Sequence, residues 1–356
     1  MDFKIPIVDF TSFSSIACDL FSSEMIEAQQ ETARKVDEAN QKHGFVCLRN
    51  SGINQSTLKH AFQASKGLFD LPESDKVKLK KLDPKTNTGY TGYSQESLNR
   101  KRQPDMKEAF NVRNTSLELK TNIDLKNTPK QFKNDVGDFW KELNTLGNQY
   151  SRCCSLALGL DDDYFSRTLN TMDLCTLRML HYPPVCGGDD TGGNITLNSS
   201  SAIRVGEHTD FGIFTFLFIH EFHQESSHGL QVKAIEGADL AEKDDSFVGT
   251  GWNDVVFDNE TLNELSNDST AAVIVNTGAL MARWTNDVWR ATAHRVIVTP
   301  SAVSNHRYSM AMFFDPDKET LCSVHPKFVK DKGKPKYPPI RSIDYLLMKL
   351  KEAQQG

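Results

Sequence analysis

The 356-residue chain is poor in the features that would place it in several broad classes. It has no apolar run long enough to cross a bilayer, which excludes a membrane-spanning helix as the expectation. It has no excess of positive charge. The formal net charge is −6, so no electrostatic footprint for nucleic acid or an anionic membrane is expected. Its seven cysteines are odd in number, and none forms a C-x-x-C pair. That set excludes a disulfide framework and a thiolate zinc site and fits free thiols in a reducing compartment. Residues 1–10 carry no signal-peptide pattern, so the expected location is the cytoplasm. No internal repeat and no flexible interdomain linker interrupts the chain. What remains is a globular protein, expected to be a monomer or weak oligomer.

What is present is periodicity of two kinds. Residues 26–43 are helix formers with an Ala33, Val36, Ala39 stripe, ended by Gly44. A second helix is predicted over 57–69, before Pro72, and a solvated helix over 73–81. Phe132, Val136, Phe139, Leu143, Leu146, Tyr150, Cys153 and Ala157 recur at spacings of four and three, and Gly159 is placed to terminate that long helix. Ser342 is read as the cap of a last helix with Ile343, Leu346, Leu347 and Leu350 on one face. Strand-like runs fall at 5–10, where Pro6 marks an edge, at 45–49 and at 105–112. From residue 174 they crowd together at 176–182, 201–205, 214–219, 230–234, 272–276, 294–298 and 308–314. Polar loops are read at 114–130 and 186–200, and a Gly/Tyr loop at 89–93.

This order predicts a mainly β chain with flanking helices around a jelly-roll core. Residues 1–120 are expected to form an α/β region packed on the core, and 121–170 a long supporting helix. Residues 171–320 would be the core, and 321–356 a tail with its helix.

The chemistry begins at Gly206-Glu207-His208-Thr209-Asp210-Phe211-Gly212. If this stretch is strand, His208 and Asp210 lie at i and i+2 and share a face. An imidazole and a carboxylate on one face can hold a divalent ion. The triplet alone is weak, because His-x-Asp arises by chance in a chain with ten histidines. Two ligands are also not a site, so a third must come from a distant segment.

The chain resembles the iron(II)- and 2-oxoglutarate-dependent dioxygenases, in the branch that includes isopenicillin N synthase and the plant flavonoid and gibberellin oxygenases. The amino-terminal third carries the likeness through Ile5-Pro6-Ile7-Val8-Asp9-Phe10, Gly44-Phe45-Val46, Asn50-Ser51-Gly52-Ile53, Phe69-Asp70-Leu71-Pro72 and Lys107-Glu108-Ala109-Phe110. The core carries it through the His208 stretch, Gly229-Leu230-Gln231-Val232, Val275-Asn276-Thr277-Gly278, Trp284-Thr285-Asn286, His294-Arg295-Val296 and Arg307-Tyr308-Ser309. The resemblance implies a double-stranded β-helix core and a metal triad of His208, Asp210 and His294. Two imidazoles and one carboxylate with open positions suit non-haem Fe(II), although ligand chemistry alone leaves Zn(II) open.

The same resemblance implies 2-oxoglutarate and O2 as co-substrates, with ascorbate as a candidate stimulant. Fe(II) with one carboxylate keeps a net positive charge, which favours an anionic chelator. The far carboxylate of 2-oxoglutarate then needs a cation and a hydroxyl. Arg307 and Ser309, at i and i+2 on a predicted strand, supply both, and Tyr182 sits where this branch places a tyrosine near the co-substrate. No catalytic residue beyond the metal ligands is expected.

Family position makes Tyr90, Tyr93, Phe110, Arg178, Phe211, Arg283, Trp284 and the carboxy-terminal helix the candidate substrate walls. Arg178 and Arg283 suggest a carboxylated or amino-acid-derived substrate. The expected reaction is oxidation of a C–H bond by hydroxylation, desaturation or ring closure, with release of succinate and CO2. Two other readings stay open: an iron oxidase of the isopenicillin N synthase type that needs no 2-oxoglutarate, and a non-catalytic small-molecule binder. Leu180 and Ala279 depart from the plant pattern, and the loop over 220–228 is longer than usual.

Overall fold

The computed structural model describes residues 2–14, 22–79, 88–96, 104–113, 131–185, 203–222, 227–234, 251–299, 304–329 and 333–355. The expected loops at 114–130 and 186–200, and residues 223–226 of the 220–228 loop, lie outside them. Thirteen strands build two facing sheets. In chain order they are β1 (Asp2–Phe3), β2 (Ile7–Asp9), β3 (Phe45–Arg49), β4 (Gly89–Thr91), β5 (Glu108–Arg113), β6 (Thr176–Tyr182) and β7 (Ile203–His208). Then follow β8 (Phe214–Ile219), β9 (Ser227–Lys233), β10 (Trp252–Val256), β11 (Val273–Thr277), β12 (His294–Ile297) and β13 (Arg307–Phe314). The large sheet runs β2-β3-β11-β8-β13-β6-β5-β4, and the small one β1-β10-β9-β12-β7. The chain is thus sheet-rich with flanking helices around a jelly-roll core, and Pro6 does precede an edge strand. The segment expected as a Gly/Tyr loop instead contains β4, which pairs with β5.

Three long helices cover the outer face of the large sheet: α1 (Ser23–Lys42), α2 (Gln55–Phe69) and α3 (Phe132–Ala157). The α3 stripe read from sequence is buried from Phe132 to Cys153. The helix ends where Gly159 adopts φ +60° and Leu160 N–H reaches back to the Ser155 carbonyl at 2.8 Å, a turn that a β-carbon would strain. A short helix α4 (Ala279–Trp284) follows β11, and α5 (Ser342–Gln355) closes the chain. Ser342, read as the cap of α5, is the first residue of the helix, and its hydroxyl donates to the Pro316 carbonyl at 2.8 Å and fastens the helix to the core.

Alternation along the strands decides what faces where. On β13, Tyr308, Met310, Met312 and Phe314 enter the helix-facing core, together with Leu177 and Met179 of β6 and Phe110 and Val112 of β5. The opposite residues turn into the space between the sheets. There Leu180 and Tyr182 meet Val205 and Val296 of the small sheet. Arg307 and Ser309 belong to that inward set by the same alternation.

Candidate metal centre and co-substrate pocket

His208 is the last residue of β7 and His294 the first of β12, and the two are direct cross-strand partners. Their rings lie 4.3 Å apart between centroids. Asp210 is not on the strand, contrary to the expectation from i, i+2 alternation. Pairing of β7 stops at His208, and the chain turns through 209–213 before β8. Hydrogen bonds, not strand geometry, aim the carboxylate. Its Oδ2 accepts from Thr215 Oγ1 at 2.7 Å and Asn276 Nδ2 at 2.8 Å. Its Oδ1 stands 3.6 Å from His208 Nε2 and 3.8 Å from His294 Nε2. One ligand atom from each residue thus lies within 4.8 Å of the others, room for a single shared ion.

The imidazoles are set by the same device. His208 Nδ1 lies 2.8 Å from the Gly206 carbonyl, and His294 Nδ1 lies 3.1 Å from the Thr292 carbonyl. A carbonyl only accepts, so each Nδ1 carries the proton and each Nε2 offers its lone pair inward. Burial, together with the neighbouring His294, pushes the His208 imidazole down to about 4, so it is neutral and ready to ligate at physiological pH. Burial alone would raise the Asp210 carboxyl. His294, His208 and the two hydrogen bonds outweigh it and hold the group below its ordinary value. The donor set is therefore two imidazoles and one carboxylate, the pattern that suits non-haem Fe(II).

Outer partners of such ligands matter nearly as much as the ligands. Asn276→Ala is expected to weaken Fe(II) binding or activity by roughly 10- to 100-fold, read by anaerobic Fe(II) titration. The backbone behind Asp210 is equally constrained. Ala279 N–H donates to the Asp210 carbonyl at 2.7 Å, and a β-carbon at Gly278 would collide with the Gly212 carbonyl oxygen. Gly278→Ala should cost about 1–3 kcal/mol in chemical denaturation by overpacking.

On the large sheet, Arg307 and Tyr182 are cross-strand partners at the paired ends of β13 and β6. The Arg307 guanidinium lies over the Tyr182 ring at 4.7 Å and donates to Ser309 Oγ at 3.3 Å. Ser309 is buried. The structure therefore brings together all three residues expected around the co-substrate.

It also adds a fourth that sequence reading missed. Arg204 is fully buried on β7, donates to the Tyr182 and Pro183 carbonyls, and lies over the Tyr182 ring at 5.6 Å. Burial first, and Arg307 second, push its guanidinium down to about 10. Two cations against one aromatic ring create a local positive potential suited to a dianion. The available signal was an arginine four residues before His208 on the same strand.

The candidate substrate walls divide. Tyr90 and Phe110 are cross-strand partners, but both face the helices and not the interior. The Tyr90 hydroxyl is engaged by Glu108, and the Phe110 ring packs edge-on against Phe132. Trp284 also turns into the core, edge-on against Phe165. These three are corrections to the expected pocket. Phe211 is half-buried next to Asp210, and Tyr93 is exposed. Arg178 faces inward and is ion-paired with Glu96, which also takes Lys107 at 3.1 Å. Arg283 lies on α4, away from β6.

Near the triad, Asp315 stands at the end of β13. Burial pushes its carboxyl up to about 7, with Arg113 opposing and Asp210 adding to the rise. Its folded value lies above the ordinary 3.8, so the folded state keeps the proton longer. Its contribution to stability is complete below that ordinary value and is lost as pH rises to about 7. Denaturation midpoints of the metal-free protein should show this decline, and Asp315→Asn should flatten it.

A sheet-rich fold with a His-Asp-His cluster and two arginines against one tyrosine ring is the arrangement expected of a non-haem iron oxygenase. Comparison with known proteins takes this one step further. Residues 174–316 match the family described as the 2OG-Fe(II) oxygenase superfamily. Residues 5–135 match the family described as non-haem dioxygenase in morphine synthesis N-terminal. The chain belongs to the Fe(II)- and 2-oxoglutarate-dependent dioxygenases, which agrees with the isopenicillin N synthase-like branch named from its motifs.

Among its relatives is the 2-oxoglutarate-Fe(II) type oxidoreductase ppzD of Metarhizium majus, 28% identical over 86% of this chain and 85% of that protein. Another is the proline hydroxylase buaE of Petromyces alliaceus, 28% identical over 84% and 86%. A full-length Neurospora crassa protein solved with alpha-KG and thymine superposes with a TM-score of 0.74 at 27% identity, covering 98% of this chain and 96% of that one. The protein is thus an oxidoreductase whose cofactor is Fe(II) and whose co-substrate is 2-oxoglutarate.

Proposed function

We propose that the enzyme oxidises a C–H bond of a small, carboxylated or amino-acid-derived metabolite, with His208, Asp210 and His294 holding the iron and Arg307, Ser309 and Tyr182 holding 2-oxoglutarate. The observation that carries this reading is the shared interior: Tyr182, Arg307 and Ser309 lie on the inward faces of β6 and β13, and His208 ends β7 of the facing sheet. Fe(II), when bound there, supplies O2 activation coupled to conversion of 2-oxoglutarate into succinate and CO2.

The chain's own residues do the rest. Arg307 offers a planar, two-pronged donor to the far carboxylate, and Ser309 adds a hydroxyl. Tyr182 walls the pocket and keeps the guanidinium in place. Thr215 and Asn276 hold the Oδ2 oxygen of Asp210 and so aim Oδ1 at the metal position, while the Gly206 and Thr292 carbonyls fix the two rings. Leu180, Val205 and Val296 form an apolar wall between the sheets that helps exclude water.

The outcome, whether hydroxylation, desaturation or ring closure, depends on where the substrate is held. The relative named for proline hydroxylation supports an amino-acid-derived substrate. The reading places the enzyme in the cytoplasm as a monomer or weak oligomer.

The test is anaerobic. Fe(II) is added, then 2-oxoglutarate, and the visible spectrum is recorded. A weak charge-transfer band that needs both additions supports the reading. Bound iron without the band, and substrate consumed without equimolar succinate, would instead favour an oxidase that needs no 2-oxoglutarate.

A further inference from the structure

The two arginines that suggest a carboxylated substrate have different surroundings. Arg178 is already answered by Glu96. Arg283 is not answered by any carboxylate among the described residues. Its Nη2 donates to the Pro338 carbonyl at 2.7 Å, and its guanidinium lies 4.9 Å from the Tyr337 ring and 5.9 Å from that of Tyr345. Its Nε is buried and has no hydrogen-bond partner. A buried donor left unmade is costly, so this edge of the guanidinium is incomplete as it stands.

Arg283 lines a groove of about 600 Å³ between α4, the segment leading into β12, and α5. That size is in the range of small-molecule sites. Two wall residues adjoin the metal ligands. Ala279 donates its N–H to the Asp210 carbonyl, and Ala293 immediately precedes His294.

The charge of the groove is one-sided. Lys233, Arg283, Arg290 and Lys349 line it, against Asp287 alone. Lys233 is paired with Glu207, Lys349 with Glu352 and Asp287 with Lys336. Arg290 donates to the Gln41 carbonyl at 2.8 Å and has no carboxylate among the described residues. The positive charges of the two arginines are what remain. Apart from Thr292, the rest of the wall is apolar or aromatic, with Trp289, Tyr345 and Met348 among it.

We propose that this groove holds the acidic end of the substrate, a carboxylate on an apolar body, and that Arg283 is its recognition residue. The guanidinium offers a carboxylate charge-assisted donors, and the Nη1 group of Arg283 has no partner among the described residues, while the small alanine walls leave room for the body. The inference rests on the 2-oxoglutarate oxygenase reading and narrows the substrate's carboxylate to one of two arginines. Arg178, with Glu96 beside it, stays part of an internal ion-pair network.

The test uses anaerobic protein loaded with Fe(II) and 2-oxoglutarate. The probes are phenylacetate, 3-phenylpropanoate and 4-phenylbutanoate, each against its uncharged amide, titrated by calorimetry. At least one carboxylate should bind at least about tenfold more tightly than its amide, as expected for a charge-assisted bond. Arg283→Gln should remove that preference, Arg283→Lys should restore part of it, and Arg178→Gln should keep it. Arg283 also fastens the segment at Pro338, so Arg290→Gln provides a second variant, expected to reduce the preference without disturbing that contact.

Equal binding of acids and amides, no binding of any acid, or a preference lost in Arg178→Gln but kept in Arg283→Gln would each overturn the inference. A charge-transfer band in the same wild-type sample shows that the oxygenase reading still stands in those cases. Its absence would remove that reading instead.

Discussion

Asp210→Ala is expected to abolish turnover and to lower Fe(II) affinity by more than the roughly 100-fold that loss of an outer partner costs. Asp210 is the only carboxylate of the triad, and its Oδ1 faces both imidazoles. Its removal deletes a ligand and the one negative charge that balances the ion. It also leaves Thr215 and Asn276 aimed at nothing, two buried donors without their acceptor. Anaerobic Fe(II) titration with and without 2-oxoglutarate checks this. Retention of wild-type affinity would mean that the ion sits elsewhere. Asp210→Asn should be nearly as damaging, because the amide keeps the shape but lacks the charge.

Arg307→Ala is expected to raise the KM for 2-oxoglutarate by roughly 10- to 100-fold, the equivalent of losing about 1.5–3 kcal/mol of charge-assisted hydrogen bonding. kcat should change less, because the far carboxylate is held equally in the ground and transition states. Arg307→Lys should recover part of the affinity but not the two-pronged geometry. The readout is the 2-oxoglutarate titration of the anaerobic band, which separates binding from chemistry. An unchanged affinity would transfer the anchor to Arg204, whose guanidinium lies over the same Tyr182 ring.

Some of this was legible without coordinates, for identifiable reasons. The α3 stripe could be read because one helix face is buried along nearly its whole length. The strand Phe214–Ile219 has the bounds read from sequence, since β-favouring residues there end at a turn on either side. Other features were not legible. Phe110 and Tyr90 sit on strands buried on both faces, where apolar character does not reveal which face is inward. Trp284 lies on a helix of only six residues, too short for a periodicity to show its buried side. Glu96 neutralises Arg178 from 82 residues away, and no local pattern predicts such a partner.

The sequence by itself determined the kinds of atoms available: two imidazoles, one carboxylate, an arginine and a serine on alternate positions of a strand, and a run of strands able to enclose them. Only the tertiary structure decided how they are used. Asp210 lies beyond the end of β7, and its direction comes from Thr215 on β8 and Asn276 on β11. Arg204 joins Arg307 because β7 packs across the interior from β6 and β13. Arg283 is left without a carboxylate because α5 and its approach offer it a carbonyl and two rings instead. Local sequence sets what a side chain can bond to, but which partner it meets depends on distant segments brought together by burial.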